Sequence, residues 1–213
     1  MTLKIDWCSP QAAKYACEHW HYSASYPSAG ATSVGVWEND LFVGAIIFGY
    51  GANNHIGCPY GLTQHEVCEL TRVAMRNHSA PISQCVSKAI RMLRGRCPGL
   101  RLIVSYADEG HNHKGVIYQA MNWVYVGATT NGASPLVIRG KRLHAKSVHK
   151  MCGTHDIEYI KKNIDASVKK VEITSKHKYL YPLDKKMRKK ISALQKPYPK
   201  VAQIQNTIKT EAV

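Results

Sequence analysis

Three side chains in the middle of the chain have the types and positions that proton transfer requires. Asp108 directly follows the apolar run Arg101–Ala107, where a carboxylate can position an amine, act as a base or ligate a metal. Glu69 lies within Glu66–Met75, a segment that alternates like a strand, and a charge there is costly to bury unless it is paired or used. Tyr118 falls in a short predicted helix, from which its phenol can donate a proton or orient a substrate.

Each of these side chains also has a purely structural interpretation. Asp108 can cap the turn that follows it, and Tyr118 can pack in the core. Glu69 can serve as a general base or can pair with Arg72 or Arg101. The spacing alone leaves both interpretations open.

Two His-x-His pairs, His19/His21 and His111/His113, project imidazoles in similar directions if their backbones are extended. Together with Asp108, these four histidines predict a site for iron or a related divalent metal, because imidazole and carboxylate suit such ions. Ordinary polar contacts are the alternative for each histidine.

Composition limits the class of protein and the kinds of site that the chain can form. The chain has 213 residues, of which 45% are apolar, enough for one substantial core. The seven cysteines are scattered and form no CxxC pair, which indicates neither a disulfide framework nor a zinc site. The chain contains no long apolar run and no signal-like N-terminus, so we expect a soluble cytoplasmic protein with no membrane partner.

The positive charge is concentrated near the C-terminus. Residues 1–138 contain 10 Lys and Arg against 8 Asp and Glu, whereas residues 139–213 contain 19 against 6, which places +13 of the net +15 in the last third. Such a footprint is typical of proteins that bind nucleic acid, although a merely solvated tail is the alternative. Cations and aromatic rings alternate in Lys176–Tyr181, so we expect Lys178 and Tyr179 to contact bases.

The predicted elements give a mixed α/β sheet flanked by helices. Residues 9–18 form a capped helix, and an amphipathic helix begins at Ile82. Strands are predicted at Ser33–Trp37, Leu41–Tyr50, Glu66–Met75, Arg101–Ala107 and Trp123–Thr129, with a short helix from about Gly115 to Asn122. Ligands of such sheets collect beyond the carboxyl ends of the strands, where Asp108 is expected.

This order of elements resembles the GNAT acyltransferase fold, and Gly115–Trp123 looks like the late helix and strand of that superfamily. The resemblance implies that Tyr118 protonates a leaving thiolate and that Glu69 is the base. It also implies that Ser79, Ile82 and Ser83 hold the cofactor. The family's pyrophosphate cradle should lie between Met75 and Gln84, but Arg76–Ser83 lacks its glycines. This departure puts ordinary acetyl-CoA use in question.

A closer resemblance covers about residues 15–150 and continues in the tail. It is carried by several short motifs, which include His19-Trp-His-Tyr22-Ser23, Ile47-Phe-Gly-Tyr-Gly-Ala-Asn53, Cys68-Glu-Leu-Thr-Arg72-Val73, Ser105-Tyr-Ala-Asp108, Ile117-Tyr-Gln-Ala120 and Tyr179-Leu-Tyr-Pro-Leu183. Together these motifs resemble the Mom family of phage DNA-modification proteins.

That resemblance implies conversion of adenine in phage DNA to an N6-carbamoylmethyl form, which protects the genome from host restriction. It assigns activity to His21, Tyr22, Asp108 and Tyr118, and it implies iron as a cofactor. The donor is either an acyl-CoA or a glycyl-type donor, so CoA and tRNA are both candidate carriers.

Double-stranded DNA is then the expected partner, with the adenine flipped out of the duplex. The loop Gly49–Gly61 contains four glycines, two asparagines and a proline, and loops of this length are often functional. We expect this loop and Arg72 to hold the flipped base. The side chains that would do so in the loop are Tyr50, Asn53, His55 and Tyr60.

We therefore expect a GNAT-like catalytic domain over residues 1–150 and a basic, DNA-binding extension over residues 151–213, mobile at its end. Two alternatives remain: an N-acyltransferase acting on aminoacyl-tRNA or another amine, and a non-catalytic DNA-binding protein. If the protein is encoded by a phage, it acts in the host cytoplasm. The sequence does not indicate an oligomeric state.

Overall fold

The computed structural model describes residues 2–27, 30–51, 54–129, 134–143, 145–172 and 174–200. The first half of the chain forms β1 (Leu3–Trp7), α1 (Pro10–Trp20), β2 (Thr32–Glu38), β3 (Leu41–Gly49) and β4 (Val67–Met75). Strands β1 to β4 are antiparallel neighbours in sequence order.

The second half begins with α2 (Ile82–Arg96), β5 (Leu102–Asp108), α3 (Val116–Ala120) and β6 (Val124–Thr129). Seven further elements follow these: β7 (Leu136–Ile138), β8 (Lys141–Leu143), α4 (Ala145–Cys152), α5 (Ile157–Asn163), β9 (Lys169–Lys170), β10 (Lys176–Pro182) and α6 (Lys185–Ser192). None of the helices among the described residues is long and apolar enough to cross a membrane.

Seven strands form the main sheet in the order β1-β2-β3-β4-β5-β10-β6, and β8-β7-β9 form a small separate sheet. Strands β4 and β5 are parallel, and the other strands with a described register pair antiparallel. The predicted mixed α/β sheet with flanking helices is confirmed.

Strand β10 is the main departure from the predicted elements. The Lys176–Tyr181 motif was expected to face nucleic acid, but it forms a strand between β5 and β6. Tyr179 and Leu180 are fully buried there. Two backbone hydrogen bonds show that β10 runs antiparallel to β5. The Leu183 amide donates to the Arg101 carbonyl near the start of β5, and the Glu109 amide, near the end of β5, donates to the Ser175 carbonyl.

The two large helices cover opposite faces of the sheet. Helix α1 packs small residues such as Ala13 and Ala16 against β3 and β4. On the other face, α2 buries Val86, Ala89 and Leu93 among the side chains of β2 to β5. The apolar residues of α2 recur every three or four positions, so one stripe of the helix packs inward and its arginines stay exposed.

The chain divides into two compact units, and this division differs from the boundary expected at residue 150. One unit contains residues 1–107, 113–127 and 177–213, and therefore includes β10 and α6. The other contains residues 108–112 and 128–176, with its own apolar cluster around Leu136, Val148 and Ile160. The basic extension is thus shared by both units.

The end of the basic extension was expected to be mobile, but residues 196–198 are anchored. The Lys196 amide donates to the Tyr125 carbonyl at 2.8 Å, and the Tyr198 hydroxyl donates to the Trp123 carbonyl at 2.7 Å. These bonds hold residues 196–198 along β6, while residues 201–213 lie outside the described residues.

Candidate active site

The parallel strands β4 and β5 separate part-way along their length. They pair from Val67/Leu102 to Leu70/Ser105, after which each strand continues without the other, β4 to Met75 and β5 to Asp108. An opening between two strands exposes backbone groups and side chains that an intact sheet would cover. Leu70 and Ser105 mark the point where this opening begins.

Tyr118 lies at this point. The Ser105 hydroxyl oxygen is 2.8 Å from the Tyr118 phenol oxygen and 2.8 Å from the Leu70 carbonyl oxygen. Ser105 is fully buried, and it follows the apolar residues Leu102 to Val104 of β5. Helix α3 therefore delivers the Tyr118 phenol to the strand separation, and Ser105 holds it there.

The single proton of Ser105 can serve only one of these two acceptors at a time. When it is donated to Leu70, the Tyr118 hydroxyl can donate to Ser105. When it is donated to Tyr118, the phenol proton is free for a substrate atom. Ser105 thus allows Tyr118 to hold or to release its proton without moving.

The surroundings keep Tyr118 protonated at neutral pH. Burial raises the pKa of Tyr118 to about 12, and the nearby Tyr22 and Glu69 raise it as well, whereas the hydrogen bond from Ser105 lowers it. A phenol in this state is a proton donor. The same interactions mean that the charges of Tyr22 and Glu69 act on the Tyr118 phenol.

Gly115 makes this position of α3 possible. It precedes the helix with a φ of +71°, in the left-handed region, and a side chain there would overlap the Tyr179 ring at 2.4 Å. The Tyr179 hydroxyl donates to the Lys114 carbonyl, and the Gln119 amide donates to the same carbonyl at 2.9 Å. The start of α3 is therefore fixed on the core through Tyr179.

Glu69 is half-buried on β4 and lies close to the loop after β3. A side chain at Gly51 would come within 2.9 Å of the Glu69 Oε2 atom, so the backbone itself approaches the carboxylate. Both arginines proposed as its partner bond to other groups. Arg72 donates to the Ser25 and Thr71 carbonyls, and Arg101 pairs with Asp184 at 2.8 Å and Glu66 at 3.7 Å.

His21 and Tyr22 follow the end of α1, and their ring centroids are 4.3 Å apart. The backbone amide of Ser23 donates to His21 Nδ1 at 3.1 Å. Because an amide can only donate, the neutral imidazole carries its proton on Nε2, where it can donate to a substrate. Tyr22 is 48% exposed and contacts the His113 ring edge-on at 4.9 Å.

Asp108 belongs to the smaller unit, and its position matches the capping alternative. Its Oδ1 accepts from the Gly110 amide and the Thr174 hydroxyl, both at 3.0 Å, and the Lys176 ammonium is 3.8 Å from Oδ2. The carboxylate therefore caps the short 3-10 helix Glu109–His111. This capping does not exclude a role in activity.

The predicted metal site is not supported. In the part of the chain that the structure describes, no three side chains of His, Cys, Asp or Glu come close enough to hold an ion. His19 Nδ1 bonds the Tyr15 carbonyl at 2.9 Å within α1, and Nδ1 of His21 is engaged by Ser23. These residues, with Asp108, His111 and His113, do not fit an iron centre.

The predicted substrate-binding residues have different environments. Tyr60 and Tyr179 are buried at 4% and 0% exposure, so neither ring has a face free to stack on a base, and that expectation is wrong for both. Tyr50 is 46% exposed, and His55 lies 3.7 Å from the Cys58 sulfur. Asn53 lies outside the described residues.

Lys178 makes contacts that its sequence neighbours did not suggest. Its ammonium lies over the rings of Tyr60, 5.2 Å from the centroid, and Tyr106, 5.8 Å away. Tyr106, which the sequence analysis missed, also interacts electrostatically with Glu69. Ser105 was missed as well, although a serine directly after an apolar run within a strand is a recognisable signal of a buried polar role.

The predicted cofactor residues are only partly available. The amides of Ser79 and Ala80 donate to the Glu38 carboxylate at 3.0 to 3.1 Å, and these bonds lower the pKa of Glu38. Ser79 is thus already bonded to an anion of the protein itself. Ile82 and Ser83 begin α2, where amides have no acceptor within the helix and can bind a phosphate.

Comparison with known proteins identifies the family. The sequence model of the Mom protein family matches residues 2–200. The chain belongs to the Mom protein family. A relative named methylcarbamoylase mom, from Escherichia phage Mu, is 25% identical over 207 residues, which cover 93% of this chain and 84% of that protein.

One solved structure supports the fold. Arabidopsis thaliana NAA60, solved with a bisubstrate analogue, superposes with a TM-score of 0.51 at 9% identity and covers 86% of this chain and 100% of its own. A probable acetyltransferase from Staphylococcus epidermidis gives 0.49 at 8% identity, with coverage of 86% and 100%. The GNAT-like fold predicted from the order of elements is confirmed.

Proposed function

We propose that this member of the Mom family is a phage DNA-modification enzyme that converts adenine N6 in DNA to its carbamoylmethyl derivative. The similarity to a protein named methylcarbamoylase supports this chemistry. The observation that carries it in the structure is the position of the Tyr118 phenol, bonded to Ser105 where β4 and β5 separate. In phage-infected cells the modification protects the phage genome from host restriction, and the protein works in the host cytoplasm.

The reaction replaces one hydrogen of the adenine N6 amine. Overall, with a donor of glycyl composition, N6 gains a bond to the methylene carbon and loses a proton. The bond between the donor's carbonyl carbon and its carrier breaks, so that the CoA thiolate or tRNA alkoxide leaves with a proton, and the donor's nitrogen becomes the amide nitrogen of the product. One group must accept the N6 proton and another must protonate the leaving group. Glu69 is the candidate base, and Tyr118 is the candidate acid.

The remaining residues of the site bind and orient the base. His21 can donate from Nε2 to a ring nitrogen of adenine, and the exposed ring of Tyr22 can stack on it. Tyr50, His55, Arg72 and Lys178 remain candidates for contacts with the flipped nucleotide. A role for Asp108 in activity is a separate proposal, because its capping bonds already account for its position.

The donor is proposed as either an acyl-CoA or a glycyl-type donor. The amides of Ile82 and Ser83 at the start of α2 are the groups that would hold the phosphates of CoA. Feeding cells with ¹³C-labelled glycine or ¹³C-labelled acetate separates these sources, because the label appears in the carbamoylmethyl group only when its precursor supplies the carbon atoms. A tRNA carrier is implied only by label from glycine.

The test is to express the protein in bacteria, digest total DNA to nucleosides and measure modified deoxyadenosine by mass spectrometry. We expect a carbamoylmethyl mass increment with the wild-type protein and a loss of at least about 100-fold with Tyr118→Phe, which keeps the ring and removes the proton. Tyr159→Phe, on the exposed face of α5, is the matched control.

Asp108 is tested with two substitutions, because asparagine caps a helix nearly as well as aspartate but carries no charge. If the charge acts in the reaction, Asp108→Asn abolishes modification and leaves thermal stability unchanged. Full modification by Asp108→Asn, with destabilisation only in Asp108→Ala, would restrict Asp108 to capping.

Unmodified DNA from cells that contain folded protein would overturn the proposal. An acylated amine in the tRNA pool would then identify an N-acyltransferase acting on aminoacyl-tRNA. If both pools were unmodified while the protein still bound DNA, a non-catalytic binding protein would be the better description.

A further inference from the structure

A groove lies between the exposed side of α2 and the segment that joins β10 to α6, and none of the residues assigned to catalysis lines it. Its volume is about 410 Å³, and it lies within the larger of the two units. The lining includes Arg91 and Arg94 from α2, Tyr181 from β10, and Lys185 and Arg188 from α6.

The four cations of this groove are held in place by their helices. Arg91 and Arg94 are three residues apart on α2, and Lys185 and Arg188 are three residues apart on α6, so each pair shares one helix face. All four side chains are exposed. Packing of Met187 and Ile191 into the core fixes the orientation of α6.

No described carboxylate neutralises these four cations. The one carboxylate in the lining, Asp184, is already paired with Arg101 at 2.8 Å, and it caps α6 by accepting from the Met187 amide at 2.7 Å. Four like charges around one groove repel each other, and an anion that binds there removes this repulsion.

The arrangement suits a polyanion better than a lipid surface. Helix α6 presents Lys186 and Lys189 beyond the groove, so the positive surface continues along the helix. A helix that binds a membrane in this way needs an exposed apolar side, but the apolar residues Met187 and Ile191 of α6 are buried. A nucleic-acid backbone requires cations along a surface and no apolar contact.

We propose that the groove between α2 and α6 binds the phosphate backbone of duplex DNA and holds the substrate while an adenine is modified. This inference rests on the proposed function, since it takes DNA as the partner. It places backbone binding on α2 together with α6 of the basic extension. Contacts to phosphates position the duplex but do not read its sequence.

The test compares two double variants that remove equal charge. Arg91→Gln/Arg188→Gln removes one cation from each side of the groove. Lys4→Gln/Lys14→Gln removes two exposed cations from the α1 side of the sheet. Lys14 lies on α1 itself. Lys4 lies on that side because it alternates along β1 with Leu3, Ile5 and Trp7, which pack towards α2. The measurement is the affinity for a short duplex at several salt concentrations.

Each phosphate contact contributes roughly 0.9 to the slope of log affinity against log salt. We expect the groove variant to lose roughly 1.8 from this slope and to bind DNA about 10- to 100-fold more weakly near 0.1 M salt. The control variant should keep the wild-type slope. Equal slopes for both double variants would overturn the proposal, as would tight binding of CoA by the groove that excludes DNA.

This result is independent of the proposed chemistry. Tyr118→Phe, which removes the candidate acid, should bind DNA with the wild-type salt slope whether or not the wild-type protein modifies DNA. A smaller slope of log affinity against log salt in the groove variant alone therefore supports DNA binding by the groove, even if no modified adenine is found. Thermal unfolding of both double variants checks the fold, and the charge-reversal variant Arg91→Glu/Arg188→Glu must weaken binding further.

Discussion

At the scale of single residues, the candidate site depends on the Ser105 hydroxyl proton, which either the Leu70 carbonyl or the Tyr118 phenol can accept. The buried Ser105 hydroxyl contacts both the Leu70 carbonyl and the Tyr118 phenol at 2.8 Å. Without Ser105, the carbonyl and the phenol would lose their common partner, and buried groups that lose a partner cost about 1–3 kcal/mol each. Ser105 is therefore a positioning residue for Tyr118 in the proposed reaction.

We expect Ser105→Ala to lower kcat about tenfold or more while KM for DNA stays the same, because the substitution affects proton delivery and not binding. The measurement is steady-state modification of a duplex, with Ser105→Thr as the variant that keeps the hydroxyl. If Ser105 acts through Tyr118, adding Ser105→Ala to Tyr118→Phe lowers the rate no further. Additive losses in that double variant would contradict this role.

The sequence predicted residues of the site better than it predicted their partners. Tyr118, Glu69 and Tyr22 were recognisable from their positions on a strand, in a helix or next to one, and Tyr22 and Glu69 both raise the pKa of Tyr118. The histidines did not converge on a metal site, since His19 and His21 bond within their own segment. Sequence spacing indicates which side chains can meet, but not which local acceptor engages them first.

At the scale of elements, local patterns were sufficient for α2 and β5 but not for β10. Helix α2 has an unambiguous apolar stripe, and β5 is a nearly continuous apolar run. In β10 the lysines and rings indicated a nucleic-acid motif, and its position between β5 and β6 depends on pairing with distant strands. Strand β1 was also missed, although Leu3, Ile5 and Trp7 alternate.

The buried position of Tyr179 predicts a stability effect that base stacking would not. Tyr179→Phe removes the hydroxyl that donates to Lys114 and should destabilise the protein by about 1 kcal/mol. Tyr179→Ala empties a core position and should cost about 3–5 kcal/mol. Urea unfolding measures both, with Tyr159→Ala, 52% exposed on α5, as the control. A fully stable Tyr179→Ala variant with weak DNA binding would contradict the burial.

At the scale of the whole molecule, excess positive charge makes the few carboxylates important for stability. The net charge is +15 at neutral pH, and protonation of the 11 histidines adds to it in acid. Glu38 accepts from the Ser79 and Ala80 amides and thereby connects the end of β2 to the segment before α2. Those hydrogen bonds lower its pKa below the ordinary value of 4.5.

The sign of the resulting pH dependence follows from this lowered pKa. A carboxyl that is more acidic in the folded state stabilises the protein above its unfolded pKa, and it loses that contribution as the pH falls through the folded value. We therefore expect stability to decline below about pH 5 and to decline less steeply in Glu38→Gln. Glu18→Gln is the matched control, because it removes an exposed carboxylate that lies 3.7 Å from the Lys14 ammonium.

Urea midpoints from pH 7 to pH 3 measure the difference between these variants and the wild type. If Glu38→Gln and wild type lost stability with the same slope, the Glu38 carboxylate would not connect β2 to α2 in solution.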